Sequence, residues 1–426
     1  MTAIVTRRER ARLLRRALRP VVRQVSRLVR RLEQHTLPLE SAVVTLAPQG
    51  PRLGRALLSH QIHAFIPELR ARHLGTHNQY DEAVAMAETL VEMGFEVDLV
   101  SARRRRPVRG RAYELMIAHR VNLADLAAGL PETCLRIAYL DMTHWSFNSR
   151  ASLGRTLSAQ AQRGGTPGPP RLIGPNKAIE QAHCGILMGH EHAHATYAFA
   201  GKPIFEIVNL ATTRHPAPRD KDFAACRQRF LWLGGQGLAH KGLGLTLEAF
   251  AGMPEMHLTV CGPIADEPAF CRLYRAELEG CPNIEVLGWI DPAGPAFTNL
   301  ARGTLALVFP SCAEAQSGGV LNCMQAGLIP VVSRATNVRT APDFGIELAD
   351  DSVEAIRAAV RDLASRPPER LADMALRTWQ VTEGRHSRAA FKRTLRSVLE
   401  RILAAHPALP KAGFHPLPAP GGDSGA

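Results

Sequence analysis

The sequence lacks the features that mark membrane-embedded or secreted proteins. No uninterrupted apolar stretch approaches the roughly 20 residues that a membrane-spanning helix needs. Arginines interrupt every apolar run near the amino terminus, so no signal peptide is predicted. The 8 cysteines are scattered and form no C-x-x-C pair. Isolated cysteines are typical of free, mostly buried thiols in a reducing compartment, which favours the cytoplasm.

Positive charge is concentrated in residues 1–34. The formal net charge is +13, and this segment accounts for +9 of it, with eleven arginines against two glutamates. Apolar residues from Leu14 to Leu32 recur at helical spacing, although Pro20 would kink such a helix. A basic amphipathic helix can lie on an anionic membrane surface, and a solvated, partly disordered arm is the alternative. No recognition motif accompanies the charge, so no nucleic-acid partner is predicted.

The length and the pattern of the chain favour two α/β domains. A chain of 426 residues is long enough for two separate cores. Strand-like apolar runs alternate with amphipathic helical runs, which predicts doubly wound parallel sheets. The segment TTRHPAPRD at 212–220 is proline-containing and charged, so it is interpreted as the hinge. The predicted organisation is an arm and linker (1–52), a first Rossmann-like domain (53–215), a second (220–385), a last helix (386–405) and a disordered tail (406–426).

The most informative stretch is FPSCAEAQSGGVLNCMQAGLIPVVS, at 309–333. The end of an apolar strand is followed by a polar loop that carries Glu314 and Ser317. Gly318 and Gly319 then open a short amphipathic run, and a second strand comes next. Strand, glycine turn and helix start form half of a Rossmann unit, in which free backbone N–H groups and the helix dipole meet a phosphate.

A second block, LWLGGQGLAHKGLGLTLEAF at 231–250, has the same layout. Its glycine-rich turn carries Gln236 and Lys241, and an apolar helix follows. Together the two blocks resemble those of retaining, nucleotide-sugar-dependent glycosyltransferases with the GT-B fold, known as family four or glycosyl transferases group 1. The resemblance spans roughly residues 205 to 405 and is weaker in the amino-terminal half.

This resemblance implies a fold and an activity. It implies two Rossmann-like domains that face a cleft, with the last helix packing back across the first domain. It also implies transfer of a sugar from a nucleotide-diphosphate donor to a glycan or lipid-linked acceptor, with retention of configuration and with no metal or other cofactor. A cytoplasmic enzyme of polysaccharide biosynthesis, peripheral at the inner face of the membrane, fits both this activity and the arginine arm.

The resemblance also assigns donor-side residues, with two departures from the family pattern. Glu314 stands at the first glutamate of the E-x7-E motif and would hydrogen-bond the donor sugar, but the second position is Asn322. Lys241 stands at the lysine of the G-R-x4-K-G segment, but Gln236 replaces its arginine. Glutamine supplies neither permanent charge nor fork geometry to a phosphate. The implied donor-side residues are Lys241, Gly235, Gln236, Gly262, Ser317, Gly318, Gly319 and Asn322.

Acceptor-side candidates come from the first domain. Ligands of parallel sheets bind at the carboxyl ends of the strands, which brings loop residues toward one cleft. His144 follows a strand where the family often carries a histidine near the sugar, so it joins Glu314 as a catalytic candidate. His119, His77 and Asn78 are further candidates. A structural role for each histidine, and helix capping by Asn78, are the alternatives.

Two other function classes stay open. The segment His190-Glu191-His192-Ala193-His194 satisfies H-E-x-x-H, in which two histidines on one helix face bind zinc. The family likeness explains the same segment as an ordinary helix start, so no metal site is predicted. Since two charged donor ligands are replaced, the chain could also be a GT-B protein that has lost transfer and serves as a binding or partner subunit.

Overall fold

The computed structural model describes residues 39–73 and 77–406 of the chain. The arginine arm at 1–34 and the tail beyond His406 lie outside the described residues, as do the predictions made for them. The strands are β1 (Val43–Leu46), β2 (Gly54–His60), β3 (Phe95–Ser101), β4 (Leu115–His119), β5 (Leu135–Leu140), β6 (Cys184–Met188), β7 (Ile204–Ile207), β8 (Arg229–Leu233), β9 (His257–Cys261), β10 (Ile284–Gly288), β11 (Ala306–Phe309), β12 (Ile329–Val332) and β13 (Ile346–Glu347).

The helices alternate with these strands. They are α1 (Pro67–His73), α2 (Asn78–Glu92), α3 (Leu123–Ala127), α4 (Trp145–Arg163), α5 (Ala178–Gln181), α6 (Glu191–Ala195), α7 (Phe223–Cys226), α8 (Leu243–Ala251), α9 (Pro268–Leu273), α10 (Arg275–Gly280), α11 (Pro295–Arg302), α12 (Gly318–Gln325), α13 (Val353–Ser365), α14 (Pro368–Arg385) and α15 (Arg388–Ala405). Among the described residues, no helix is both long and apolar enough to cross a bilayer.

The first domain is built on a 7-stranded sheet in the order β1-β3-β2-β4-β5-β6-β7. Strands β2 to β7 are parallel, and β1 runs antiparallel to β3 at the edge. The segment predicted as a linker up to residue 52 therefore contains a strand, and that prediction was wrong at Val43–Leu46. Since this edge strand is only four residues long and half-buried, its apolar alternation is too short to stand out in the sequence.

The second domain is built on a 6-stranded, fully parallel sheet in the order β10-β9-β8-β11-β12-β13. This confirms the prediction of two Rossmann-like parallel-sheet domains. In each sheet the chain first continues to one side of the starting strand and then crosses to the other. The two switch points lie between β2 and β4 and between β8 and β11, where ligands of such sheets bind.

The last helix, α15, leaves the second domain and packs against α2 and β7 of the first. Its apolar side chains, among them Phe391, Leu395 and Leu399, belong to the same buried cluster as Leu58 and Ile117 of the first sheet. All 8 cysteines lie within the described residues and none of them forms a disulfide, as their scattered positions predicted; 6 of them are buried.

Candidate functional site

The loops after β8 and β11 lie side by side at the switch point of the second sheet. Gly242 adopts a left-handed conformation with φ of 77°, and a Cβ atom there would lie 2.2 Å from the carbonyl oxygen of Pro310. Only glycine fits such a position. His240 is buried, and its Nε2 donates to the carbonyl oxygen of Ala313 over 2.7 Å. Burial lowers the pKa of His240 to about 4, against the opposing charge of Glu314, so the ring is neutral at pH 7.

The loops after β8 and β11 bring Lys241 and Glu314 together. The Nζ atom of Lys241 lies 2.8 Å from Oε1 of Glu314, and the Ser311 hydroxyl donates to the same oxygen over 2.9 Å. Burial alone would raise the pKa of Glu314, but Lys241, His240 and Arg171 lower it to about 2. Glu314 is therefore ionised at neutral pH, and its Oε2 has no hydrogen-bond partner among the described residues.

Helix α12 begins beside this ion pair without a side-chain cap. Ser317 is the N-cap residue, but its hydroxyl does not bond to the helix. Within the described part of the chain, the backbone N–H groups of Gly318, Gly319 and Val320 have no acceptor. Uncapped N–H groups and the positive end of the helix dipole favour an anion. With Lys241 next to them, these groups can hold a phosphate.

The amino terminus of α2, from the first domain, lies opposite. The Asn78 side chain donates to the carbonyl oxygen of Leu210, and a Cβ atom on Gly318 would lie 2.1 Å from its Oδ1. His77 caps α2 by accepting from the backbone N–H of Gln79 over 3.2 Å. Loss of water around His77 and the charge of Lys241 lower its pKa, although Asp141 acts in the opposite direction.

A polar network borders the cleft on the first-domain side. His119 Nε2 lies 3.0 Å from Oδ2 of Asp141, which also accepts from Gln79 over 3.1 Å, while Arg120 donates to Oδ1 over 2.7 Å. Burial would raise the pKa of Asp141, but His119 and Arg120 hold it well below its usual range. The predicted residue His119 therefore belongs to a fixed carboxylate network whose hub is Asp141.

His144 lies elsewhere. It is the N-cap residue of α4, and its ring packs against Trp145, Tyr197 and Phe199. Its Nδ1 bonds to the Ser146 hydroxyl over 2.8 Å, and burial lowers its pKa. None of these contacts involves Lys241 or Glu314, so the structure does not bring His144 together with them.

The remaining predicted donor-side residues differ in their placement. A Cβ atom on Gly262 would lie 2.3 Å from the carbonyl oxygen of Gly234, which keeps the ends of β8 and β9 together. Gly235 has open space around it, and Gln236 is exposed. Asn322 is buried, and its side chain accepts from the backbone N–H of Thr212 over 2.8 Å and donates to the Thr212 hydroxyl over 3.0 Å.

The sequence analysis missed three residues of this cleft: His240, Asp141 and Arg171. Arg171 ends a glycine- and proline-rich segment, RGGTPGPPR at 163–171, whose composition predicts only a loop. A Cβ atom on Gly237, in the second domain, would lie 3.7 Å from Cδ of Arg171. The only available signal was a cation in a loop that follows α4, and nothing in the sequence pairs it with the second domain.

The H-E-x-x-H segment does not assemble a metal site. Helix α6 is five residues long, and His190 precedes it as the N-cap residue. His190 Nε2 accepts from the Gln316 amide over 3.0 Å, and Nδ1 of His190 and Nδ1 of His194 lie 3.7 and 3.0 Å from the carboxylate of Glu206. Glu191, the base of such a motif, pairs with Arg339 over 2.8 Å. Within residues 39–73 and 77–406, no group of three His, Cys, Asp or Glu side chains could hold a metal ion.

Comparison with known proteins matches this architecture. Residues 227–366 match the sequence profile of the family described as glycosyl transferases group 1. Sucrose-phosphate synthase from Thermosynechococcus elongatus is 10% identical over 82% of this chain and 100% of its own, with a TM-score of 0.57. HepE from Anabaena, solved with UDP and glucose, is 12% identical over 83% of this chain and 100% of its own, with a TM-score of 0.51. The fold is GT-B.

The chain is also similar to part of a larger solved protein. A mutant of TarM from S. aureus, solved with UDP and a glycan, is 11% identical over 66% of this chain, with a TM-score of 0.47. The chain spans 55% of the length of that protein. No curated protein sequence matches the chain. In GT-B terms, the first domain is the amino-terminal lobe, and the Lys241 and Glu314 loops lie in the carboxyl-terminal lobe.

Proposed function

We propose that this GT-B protein transfers a sugar from a nucleotide-diphosphate donor to a hydroxyl of a glycan or lipid-linked acceptor, with retention of configuration. The family match over residues 227–366 supports a glycosyltransferase of group 1. The observation that carries the proposal is the Lys241–Glu314 pair, fixed beside the uncapped start of α12. A cation and free backbone N–H groups are what a diphosphate leaving group requires, and the second oxygen of the paired carboxylate can accept from sugar hydroxyls.

The donor diphosphate would lie between Lys241 and the N–H groups of Gly318 and Gly319. As the glycosidic bond breaks, negative charge grows on the leaving phosphate oxygen. Fixed cations and helix N–H groups stabilise that charge without reorganising. They fill the role that a divalent metal would otherwise have, and we propose that transfer needs no metal.

Glu314 would orient the donor sugar. Oε1 is held by Lys241 and Ser311, so Oε2 is the oxygen left to accept from sugar hydroxyls. The acceptor hydroxyl would enter from the first-domain side, past His77 and the His119–Asp141 network. His77 and the His119–Asp141 network would then serve as polar partners for the reacting hydroxyl and its proton.

A GT-B binding or partner subunit without transfer activity is the second candidate. Asn322, at the position of the second family glutamate, uses its side-chain oxygen and nitrogen to hold Thr212 in the segment between the domains. Because its side chain is hydrogen-bonded to that segment, Asn322 has less capacity to bind a nucleotide-sugar donor. In this case nucleotides would bind weakly, and no sugar would be transferred.

We also propose a place of action. The arginine-rich segment 1–34 and its apolar stripe suit an anionic membrane surface, where lipid-linked glycans are built. The enzyme would then be cytoplasmic and peripheral at the inner face of the membrane.

A panel of nucleotide sugars tests the proposal. The wild-type protein should bind and slowly hydrolyse at least one of them, and Lys241→Ala and Glu314→Ala should each lower that rate about 100-fold or more, the loss typical of a positioned charge. Arg275→Ala, which breaks the exposed Arg275–Glu279 pair in the same domain, is the matched control and should leave the rate unchanged. Binding without turnover for every donor would favour the partner subunit, and unaffected rates in both site variants would refute the site.

A further inference from the structure

Arg171 is a cation at the cleft for which the structure provides no partner within residues 39–73 and 77–406. Lys241 is neutralised by Glu314, and Arg120 by Asp141. Arg171 makes one hydrogen bond, from its backbone N–H to the Ser152 hydroxyl over 2.8 Å, and its guanidinium has neither a hydrogen bond nor an ion pair. An unpaired guanidinium in a cleft is a group that a bound anion can satisfy.

The backbone around Arg171 is fixed rather than loose. Ser152 and Ser149, one turn apart on α4, accept from the backbone N–H groups of Arg171 and Ile173 over 2.8 and 2.9 Å. The start of this segment is anchored too, because Arg163 at the end of α4 pairs with Glu248 and Glu277 of the second domain. The arginine is therefore presented from a rigid support, which lowers the entropy cost of binding a ligand.

The side chain reaches across to the second domain. Its Cδ would be 3.7 Å from a Cβ atom on Gly237, in the turn that leads to Lys241. Its charge reaches the same groups as that of Lys241 and helps to lower the pKa values of Glu314, His240 and His77. Burial is the largest lowering cause at the two histidines, whereas burial raises the pKa of Glu314 and Lys241 is the largest cause that lowers it. Gln236 in this turn is exposed and uncharged, so the second domain offers no arginine of its own there.

Charge balance requires such a group. A diphosphate ester carries about two negative charges at neutral pH, since its phosphates ionise well below pH 7. Lys241 and Glu314 sum to zero, so without Arg171 these side chains would bring no net positive charge to the diphosphate. Arg171 supplies a permanent positive charge with two parallel N–H donors, the geometry that suits a phosphate.

We propose that Arg171, from the first domain, is the second diphosphate-binding cation of the donor site and reaches it across the cleft. The inference rests on the proposed function and deepens it, because a bound diphosphate would then contact both domains. Donor binding would hold the cleft closed, and release of the nucleoside diphosphate would require the Arg171 contact to break.

Calorimetric titration of the full chain tests this. The probes are UDP, GDP and ADP, their monophosphates, and inorganic pyrophosphate. Arg171→Ala should lower the affinity for the preferred nucleoside diphosphate about 10- to 100-fold, which is the loss expected for one charged hydrogen-bonding group. The affinity for the corresponding monophosphate should fall less. The diphosphate affinity of Arg171→Lys should lie between those of wild type and Arg171→Ala. The double variant Arg171→Ala/Gln236→Arg should recover part of the lost affinity. Arg150→Ala, an exposed arginine of α4, is the matched control.

The outcomes separate the two proposals. Equal diphosphate affinity in wild type, Arg171→Ala and Arg150→Ala would overturn the role of Arg171 and leave the donor site standing. A wild-type protein that binds none of the probes would overturn both. A ligand-free readout checks the placement: the pKa of His77, measured by NMR, should rise in Arg171→Ala, and an unchanged value would remove Arg171 from the cleft.

Discussion

A methyl group on Gly318 would overlap the side chain of Asn78, because a Cβ atom there would lie 2.1 Å from Oδ1. The first turn of α12, in the second domain, thus touches the first turn of α2, in the first domain. Gly318 contributes neither charge nor hydrogen bonds through a side chain. Its contribution is the space that lets the start of α12 and the start of α2 share one cleft.

Gly318→Ala should therefore destabilise the closed pair of domains by about 1–3 kcal/mol, the usual cost of overpacking. Gly319→Ala is the control, because a Cβ atom there would meet Leu233 only at an ordinary 3.6 Å. Thermal unfolding of both variants measures the difference. Asn78→Ala should rescue Gly318→Ala in a double-mutant cycle, and additive effects would contradict the contact.

The carboxylate of Glu314 gives a pH dependence. Its pKa is lowered in the folded protein from 4.5 to about 2, so its ionised form stabilises the fold fully above pH 4.5, and that contribution is lost as the pH falls toward 2. The free energy of unfolding of the wild type should exceed that of Glu314→Gln by on the order of 3 kcal/mol at pH 6. Denaturant unfolding between pH 3 and 6 should show the gap shrinking toward acid. A gap that stays constant would contradict the ionised pair.

Buried Lys221 should destabilise the fold at neutral pH. Its Nζ has no hydrogen-bond partner among the described residues and lies 5.6 Å from the Phe223 ring centre. Burial lowers its pKa from 10.5 to about 8, so the unfolded chain binds the proton more tightly. Lys221→Met should raise the free energy of unfolding at pH 7 by on the order of 3 kcal/mol, since each pKa unit is worth about 1.4 kcal/mol. The gain in stability should become smaller as the pH rises from 8 to 10. An equal gain at pH 8 and at pH 10 would refute the lowered pKa of Lys221.

Glu82 should have the opposite pH profile to Glu314. It is buried, accepts from the Tyr139 hydroxyl over 2.8 Å, and burial raises its pKa from 4.5 to about 8. The folded state keeps the proton that the unfolded state loses, so wild-type stability falls as the pH rises from 4.5 to 8. The free energy of unfolding of Glu82→Gln should equal that of the wild type near pH 4. Near pH 7.5 it should exceed the wild-type value by on the order of 3 kcal/mol. Thermal melts across this range check the slope, and parallel curves would exclude a protonated Glu82.

The arginine arm gives a prediction about membrane binding. Each arginine near an anionic surface contributes about 1 kcal/mol, and salt screens it. The full chain should sediment with phosphatidylserine-containing vesicles at low salt and be released at high salt. The same chain without residues 1–34 should stay in the supernatant and keep its melting temperature. Equal partitioning of the two proteins would show that the arm has no lipid role.

The sequence predicted those parts of the structure whose determinants are local. Buried parallel strands are continuous apolar runs, so strands such as β2 and β11 were recognised together with the fold. Lys241 and Glu314 were found because each lies in a turn with its own local pattern. The edge strand β1 was missed, because pairing with β3 rather than local pattern defines it.

The contacts that complete the site could not be predicted, because they join distant parts of the chain. Arg171 meets the Gly237 turn, and Asn322 holds Thr212, only through the arrangement of the two domains. His240 is a spacer residue in its sequence block, yet in the fold it joins the loop after β8 to the loop after β11. A single sequence carries no record of such pairs.

The return of α15 to the first domain has a consequence for biosynthesis. Phe391 and Leu395 complete the apolar cluster that covers one face of the first sheet, yet they are among the last described residues to leave the ribosome. Domains that are contiguous in sequence fold as they emerge, but this one has to wait for the second domain to be translated. Until then the apolar face of α2 stays open to chaperones, and a chain truncated before Arg388 would keep that face exposed permanently.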